Sequence, residues 1–180
     1  RLRAITGSAK DAIIMMDNSG LVTFWNPAAE ATFGYAAKEV TGRKLHEFLV
    51  PERFRAAHAA AYGRFRATGE GGAVGKTVEL AATRKDGIEL PAELSLSAIR
   101  IGDKWHSVGI VRDITARKQA EAALAESELT YRRVFESSND AMVLFESGKF
   151  LDCNEAALRM FGYSTRGEFL GKDVGAISPP

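Results

Sequence analysis

Asp11-Ala12-Ile13-Ile14-Met15-Met16-Asp17 returns later in the chain as Asp140-Ala141-Met142-Val143-Leu144-Phe145-Glu146, and this return decides the fold. Further out, Asn26-Pro27-Ala28-Ala29-Glu30, followed by Phe33-Gly34-Tyr35, comes back as Asn154-Glu155-Ala156-Ala157-Leu158, followed by Phe161-Gly162-Tyr163. Glu39-Val40-Thr41-Gly42 comes back as Glu168-Phe169-Leu170-Gly171. A one-residue slip between the blocks follows from the turns: Asn18-Ser19-Gly20 in the first copy, Ser147-Gly148 in the second. Solenoid repeats run roughly 20–50 residues. A period near 130 residues instead marks a tandem of domains. The expected organisation is a complete domain over 1–115, a helical linker over 116–136 and the first part of a second domain over 137–180.

A complete domain of that length buries a core without staples. Net charge is +1 and both signs are interspersed, so no basic footprint points to nucleic acid or an anionic membrane. One cysteine, Cys153, excludes a disulfide framework and fits a reducing, cytoplasmic setting. No apolar run approaches a membrane span. The chain opens at Arg1 rather than Met, which reads as a piece of a longer protein.

Ala12 to Asp17 reads as a buried strand, Asn18-Ser19-Gly20 as a turn and Leu21 to Trp25 as its hairpin partner. Asn26-Pro27 is a helix start and Gly34 a stop. Pro51 opens a longer helix to about Thr68, with Phe54, His58, Tyr62 (or Ala61) and Phe65 at helical spacing on its inner face. Val74 to Thr83, Ile88 to Ile101 and Trp105 to Ile114 read as three further strands, the first two joined by Arg84-Lys85-Asp86-Gly87. Hairpin connections make this a five-stranded antiparallel sheet with helices on one face, an α+β domain around an apolar space. Residues 116–136 are rich in Ala, Glu, Lys, Arg and Gln. Ala120, Leu124, Ser127, Tyr131 and Val134 fall at a/d spacing, which reads either as a solvated connector or as a parallel dimer coil.

These residues together resemble tandem PAS sensor domains. The carriers are Asp11-Ala12-Ile13, Trp25-Asn26-Pro27-Ala28-Ala29-Glu30, Phe33-Gly34-Tyr35, Gly42-Arg43, Arg84-Lys85-Asp86-Gly87 and Val111-Arg112-Asp113-Ile114-Thr115, in order over residues 1–117. The resemblance implies a sensory module that binds a small ligand or cofactor and relays the change through the linker. The output domain, a histidine kinase or diguanylate cyclase, would lie outside this stretch. The alternative is a ligand-free domain acting only in dimerisation. Homodimerisation through the linker is the expected partnership. No residues here support an enzyme.

The resemblance also implies site residues. His58 matches the iron-binding His of haem oxygen-sensor PAS domains, and Arg64 a residue near the haem propionates. Such sensors carry Arg or Met on the next strand, where Lys76 and Val78 stand here. A pocket-rim histidine with no cofactor is the other reading of His58. Flavin photoreceptors carry a reactive Cys where Leu45 stands, which excludes their adduct chemistry. Flavin-redox members carry a Trp on the long helix, where Tyr62 and Phe65 stand. Tyr62, Val78, Leu94, Leu96, Val108 and Ile110 complete the expected pocket, although such apolar residues are more often plain core. Asp113 and Thr115 are the expected relay residues, with a helix cap as the structural reading of Asp113. Gly69 to Thr77 imitates a phosphate loop but has the wrong spacing and context.

Overall fold

The computed structural model describes residues 8–173 and 175. The chain divides into two compact units, Arg1–Gln119 and Ala120–Pro180.

In the first unit, the Ala12–Met16 (β1) and Val22–Trp25 (β2) hairpin leads into helices Pro27–Phe33 (α1) and Ala37–Val40 (α2). A 3-10 turn at Leu45–Glu47 precedes the long helix Glu52–Thr68 (α3), and Thr77–Thr83 (β3), Glu89–Ile101 (β4) and Lys104–Asp113 (β5) follow. The sheet order is β2-β1-β5-β4-β3, with every pairing antiparallel, so β2 and β3 are the edges.

Asn26 explains how the first copy closes on itself. Its Oδ1 accepts from Ala29 N at 2.9 Å, capping α1, and from Ile13 N at 2.8 Å on β1. Its Nδ2 donates to Asp11 O at 3.1 Å. One buried side chain thus fixes helix start, strand and entry together. Ala12, Ile14, Trp25, Ala82, Leu90, Ala92 and Val111 of the inner sheet face form one cluster with Phe33, Val40, Leu45, Phe48 and Leu49 from the helical side. Trp25 stacks obliquely between Phe33 and Phe48, with centroids 5.6 and 6.2 Å away. Asp11 and Arg112 join the two ends of the domain through hydrogen bonds of 3.0 and 2.7 Å.

Gly69 closes α3 in the left-handed region, at φ 72°. A Cβ there would meet the Trp105 ring at 2.5 Å, so this helix end docks on β5 through a residue that has to be glycine.

A single residue, Ile114, separates β5 from helix Thr115–Ser137 (α4). In the second unit, Val143–Glu146 (β6) pairs with Lys149–Cys153 (β7), followed by Glu155–Phe161 (α5) and Arg166–Phe169 (α6). Asn154 repeats the Asn26 arrangement: Oδ1 accepts from Met142 N at 3.0 Å and Ala157 N at 2.9 Å, and Nδ2 donates to Asp140 O at 2.9 Å. A further bond reaches Phe135 O of α4, also at 2.9 Å. Phe150, Cys153, Ala157 and Phe169 form the core of this unit. The free thiol of Cys153 is buried there. Among the described residues no helix is long and apolar enough to cross a membrane.

Candidate functional site

A cavity of about 620 Å³ lies between α3 and the inner face of the first sheet. This size suits a small organic molecule, whose sites typically measure roughly 300–1,000 Å³. Helix α3 contributes His58, Ala61, Tyr62 and Phe65, one stripe at i, i+3, i+4 and i+7. Opposite it stand Ile14 and Met16 of β1, Leu80 and Ala82 of β3, Leu94 and Leu96 of β4, and Ser107, Gly109 and Val111 of β5. Leu45 also lines it, at the place where flavin photoreceptors are expected to carry their cysteine.

Of the residues expected in the pocket, His58, Tyr62, Leu94 and Leu96 line it; Arg64, Val78, Val108 and Ile110 do not. Arg64 follows His58 by six residues, off the helical stripe. It is exposed and pairs with Glu70 at 3.5 Å. Val78 lies opposite Leu94 in the ladder and shares the inner face, but the loop residues Gly71 to Val74 supply that part of the wall, with Val74 bridged to Leu96. Val108 and Ile110 have the wrong parity. Strand side chains alternate, and on β5 the small residues Ser107 and Gly109 turn inward with Val111. Ile110 is 45% exposed on the other face.

The cavity holds two buried polar atoms without a hydrogen-bond partner among the described residues, His58 Nδ1 and Ser107 Oγ. Burial, with the nearby His46 imidazole second, holds His58 below its ordinary value of 6.5, so the ring is neutral at pH 7. The His46 ring lies 6.1 Å away and the Tyr62 ring stacks at 6.4 Å. The Tyr62 hydroxyl donates to the Asp17 carbonyl. Burial, the largest cause, raises its pKa. Two charged residues also line the cavity, and both are engaged. Arg53 holds Glu89 through two guanidinium nitrogens, at 2.5 and 2.6 Å. Glu79 holds Lys118 at 2.7 Å and Arg117 at 2.6 Å.

These positions test haem, which the resemblance implies. At the iron they fit: a neutral imidazole with an unpartnered, buried nitrogen faces an apolar space. At the acid edge they do not, because Arg64 lies outside the cavity. Among the described residues no group of three or more His, Cys, Asp and Glu side chains could hold a metal ion.

The expected relay residues meet at the exit of the sheet. Asp113 Oδ1 accepts from Thr115 N at 2.8 Å and Thr115 Oγ1 at 2.5 Å, tying the end of β5 to the first residue of α4. Ile114 is buried and donates its N–H to Pro91 O at 3.0 Å. A second tie joins β3 and β4 to α4. Glu79 and Glu93 stand directly opposite in the β3–β4 ladder, a repulsive pairing. Arg117 of α4 reaches both, at 2.6 and 3.6 Å, and Lys118 reinforces it at Glu79. The side-chain hydrogen bond from Lys118, the largest cause, lowers the Glu79 pKa from its ordinary 4.5.

Comparison with known proteins places this geometry. The PAS domain family matches residues 10–116, and a second PAS domain match covers residues 129–180. The chain is similar to Sensor protein FixL of Bradyrhizobium diazoefficiens, 33% identical over 132 residues, covering 72% of this chain and 26% of that one. It is also similar to Oxygen sensor protein DosP of Escherichia coli, 29% identical over 153 residues, with 83% and 18% covered. Sporulation kinase E of Bacillus subtilis is 31% identical over 169 residues, with 91% and 21% covered. The chain thus spans about a quarter or less of the length of these relatives. Among solved structures, a PAS domain from Colwellia psychrerythraea superposes with a TM-score of 0.52 at 24% identity, covering 64% of this chain and 96% of that one, a likeness of fold.

Proposed function

The chain belongs to the PAS domain family, as tandem sensor domains of a bacterial signalling protein, and from that membership we propose that its first domain binds a small ligand in the cavity and relays the change through α4 to an output domain in the cytoplasm, a histidine kinase or diguanylate cyclase. One observation carries this reading. Strand β3 borders the cavity with Leu80 and Ala82, and its Glu79 grips the first turn of α4. A ligand that favours one position of β3 therefore favours one position of the helix start, and coupling requires no more than that difference.

Native mass spectrometry of the purified protein should detect a small-molecule adduct, which Leu94→Trp excludes by filling the cavity. In the full-length protein, two glycines inserted after Thr115 should leave the adduct in place and abolish the dependence of output on input. Output that still follows input overturns the relay.

A ligand-free module acting only in dimerisation is the second reading. The exposed apolar seam of Leu124, Tyr131 and Val134 on α4 favours it. A clean dimer with no adduct under any growth condition would establish it. Haem held by His58 is a narrower form of the first reading, favoured by an imidazole whose buried Nδ1 has no partner among the described residues and by similarity to a protein named as an oxygen sensor. When bound, haem supplies an iron for a diatomic gas. Expression with a haem precursor tests it. A Soret band lost in His58→Ala supports haem, and no band, or an unchanged one, ends that form.

A further inference from the structure

Ser107 is 2% exposed, and its hydroxyl has no hydrogen-bond partner among the described residues. It sits on the inner face of the central strand β5, opposite Met16 on one side and Ala98 on the other. Ala98 has no hydrogen-bonding side-chain group and Met16 only a weakly accepting thioether sulfur, and the hydroxyl bonds to neither. Buried hydroxyls are normally paired, because an unpaired one forfeits the bonds it had in water. The inward row of β5 is also small at this point, with Ser107 followed by Gly109. The floor of the cavity therefore combines free space with an unmet polar group.

Charge narrows the ligand class. Arg53 is held by Glu89, and Glu79 by Lys118 and Arg117. The His58 imidazole is neutral at pH 7. Among the described lining residues no free counter-charge remains for a charged ligand, and an unpaired buried charge is costly. The remaining lining is mostly aliphatic and aromatic.

We propose that Ser107 is a ligand-contacting, specificity-determining residue, and that the ligand is a neutral molecule with an apolar body and a hydroxyl or similar group bonded to Ser107 Oγ. This rests on reading the cavity as a ligand pocket, and the experiment separates the two. The probes are 2-naphthol and 2-methylnaphthalene, nearly equal in shape and different in the hydrogen-bonding group. Their affinities for wild type and Ser107→Ala are measured by titration followed in 1H–15N NMR spectra, with the thermal midpoint of each unliganded protein.

Wild type should bind 2-naphthol about tenfold more tightly than 2-methylnaphthalene, and Ser107→Ala should lose that preference while still binding the hydrocarbon. Unliganded Ser107→Ala should melt no lower than wild type, because no bond is lost. Equal affinities in wild type, or a preference that survives Ser107→Ala, overturn the assignment and leave the pocket reading intact. A resident water that already satisfies Ser107 gives that result. A lower midpoint in Ser107→Ala overturns it as well, since the hydroxyl then has a structural partner. Binding of neither probe overturns the pocket reading and the proposal with it. A His58-dependent Soret band on loading with hemin overturns the neutral-ligand class and leaves the pocket reading intact.

Discussion

His58 illustrates how far single residues could be read. Its position on the inner stripe of α3 was legible from the 3.6-residue period, as were Tyr62 and, from strand alternation, Leu94 and Leu96. Its meeting with His46 was not, because a 3-10 turn and a helix bring together residues whose separation follows no period. Ser107 was hidden for another reason: a serine in a strand reads as solvent-facing, and on β5 the bulkier Val108 and Ile110 suggested the opposite parity. The lowered pKa of His58 has a consequence for stability. The unfolded chain binds a proton near 6.5 and the folded one only at lower pH, so stability falls as pH drops below about 6.5 through the folded value. Equilibrium urea unfolding of residues 1–119 between pH 7.5 and 5 should show that slope, and His58→Gln should flatten it. Gly69 makes a sharper demand. Its positive φ and the Trp105 ring 2.5 Å from a would-be Cβ leave no room for alanine. Gly69→Ala should cost about 2 kcal/mol in the same assay.

Among the elements, the hairpin, the capped helix α1 and the long helix α3 followed from local chemistry. Asn26, Gly34, Pro51 and Gly69 each mark an end that the structure keeps. β3 is shorter than expected, Thr77–Thr83 rather than Val74–Thr83, because Val74 makes only an isolated bridge and its loop walls the cavity. The Asp113–Thr115 tie fits the structural expectation for Asp113, since its carboxylate receives the N–H and hydroxyl of the first residue of α4. The Arg117 tie was invisible in sequence, because it depends on Glu79 and Glu93 being ladder partners 14 residues apart. Arg117→Ala removes the guanidinium that reaches both carboxylates and leaves Lys118 at Glu79 and Arg112 opposite Glu93. Amide exchange over the first turns of α4 should quicken in that variant while exchange in β1 stays unchanged. Acid should act in the same direction. The Glu79 pKa is lowered, so its contribution is complete above 4.5 and disappears as pH falls through the folded value.

For the whole chain, the tandem arrangement was legible because the same hydrogen-bond hub is encoded twice, at Asn26 and Asn154. The strand order was not, because β1 lies beside β5 through a pairing some 100 residues apart that no local signal encodes. The seam on α4 carries a prediction at this scale. Leu124 is 62% and Val134 60% exposed, large apolar groups on a helix with charged neighbours. On the reading that α4 pairs with a second copy, Leu124→Glu with Val134→Glu should shift the protein from dimer to monomer in analytical ultracentrifugation while leaving its circular dichroism intact. The place of β3 in the sheet has a mechanical consequence. With a strand partner on one side only, and its other edge held at Thr83 N, which donates to Leu49 O at 2.8 Å, it is a compliant wall of the cavity, a leaf spring clamped at β4. A guest too large for the resting space is accommodated there first, and because Glu79 is part of that leaf, the base of α4 moves with it. Exchange protection at Leu80 and at Lys118 should therefore rise and fall in step across any series of guests, whatever their chemistry.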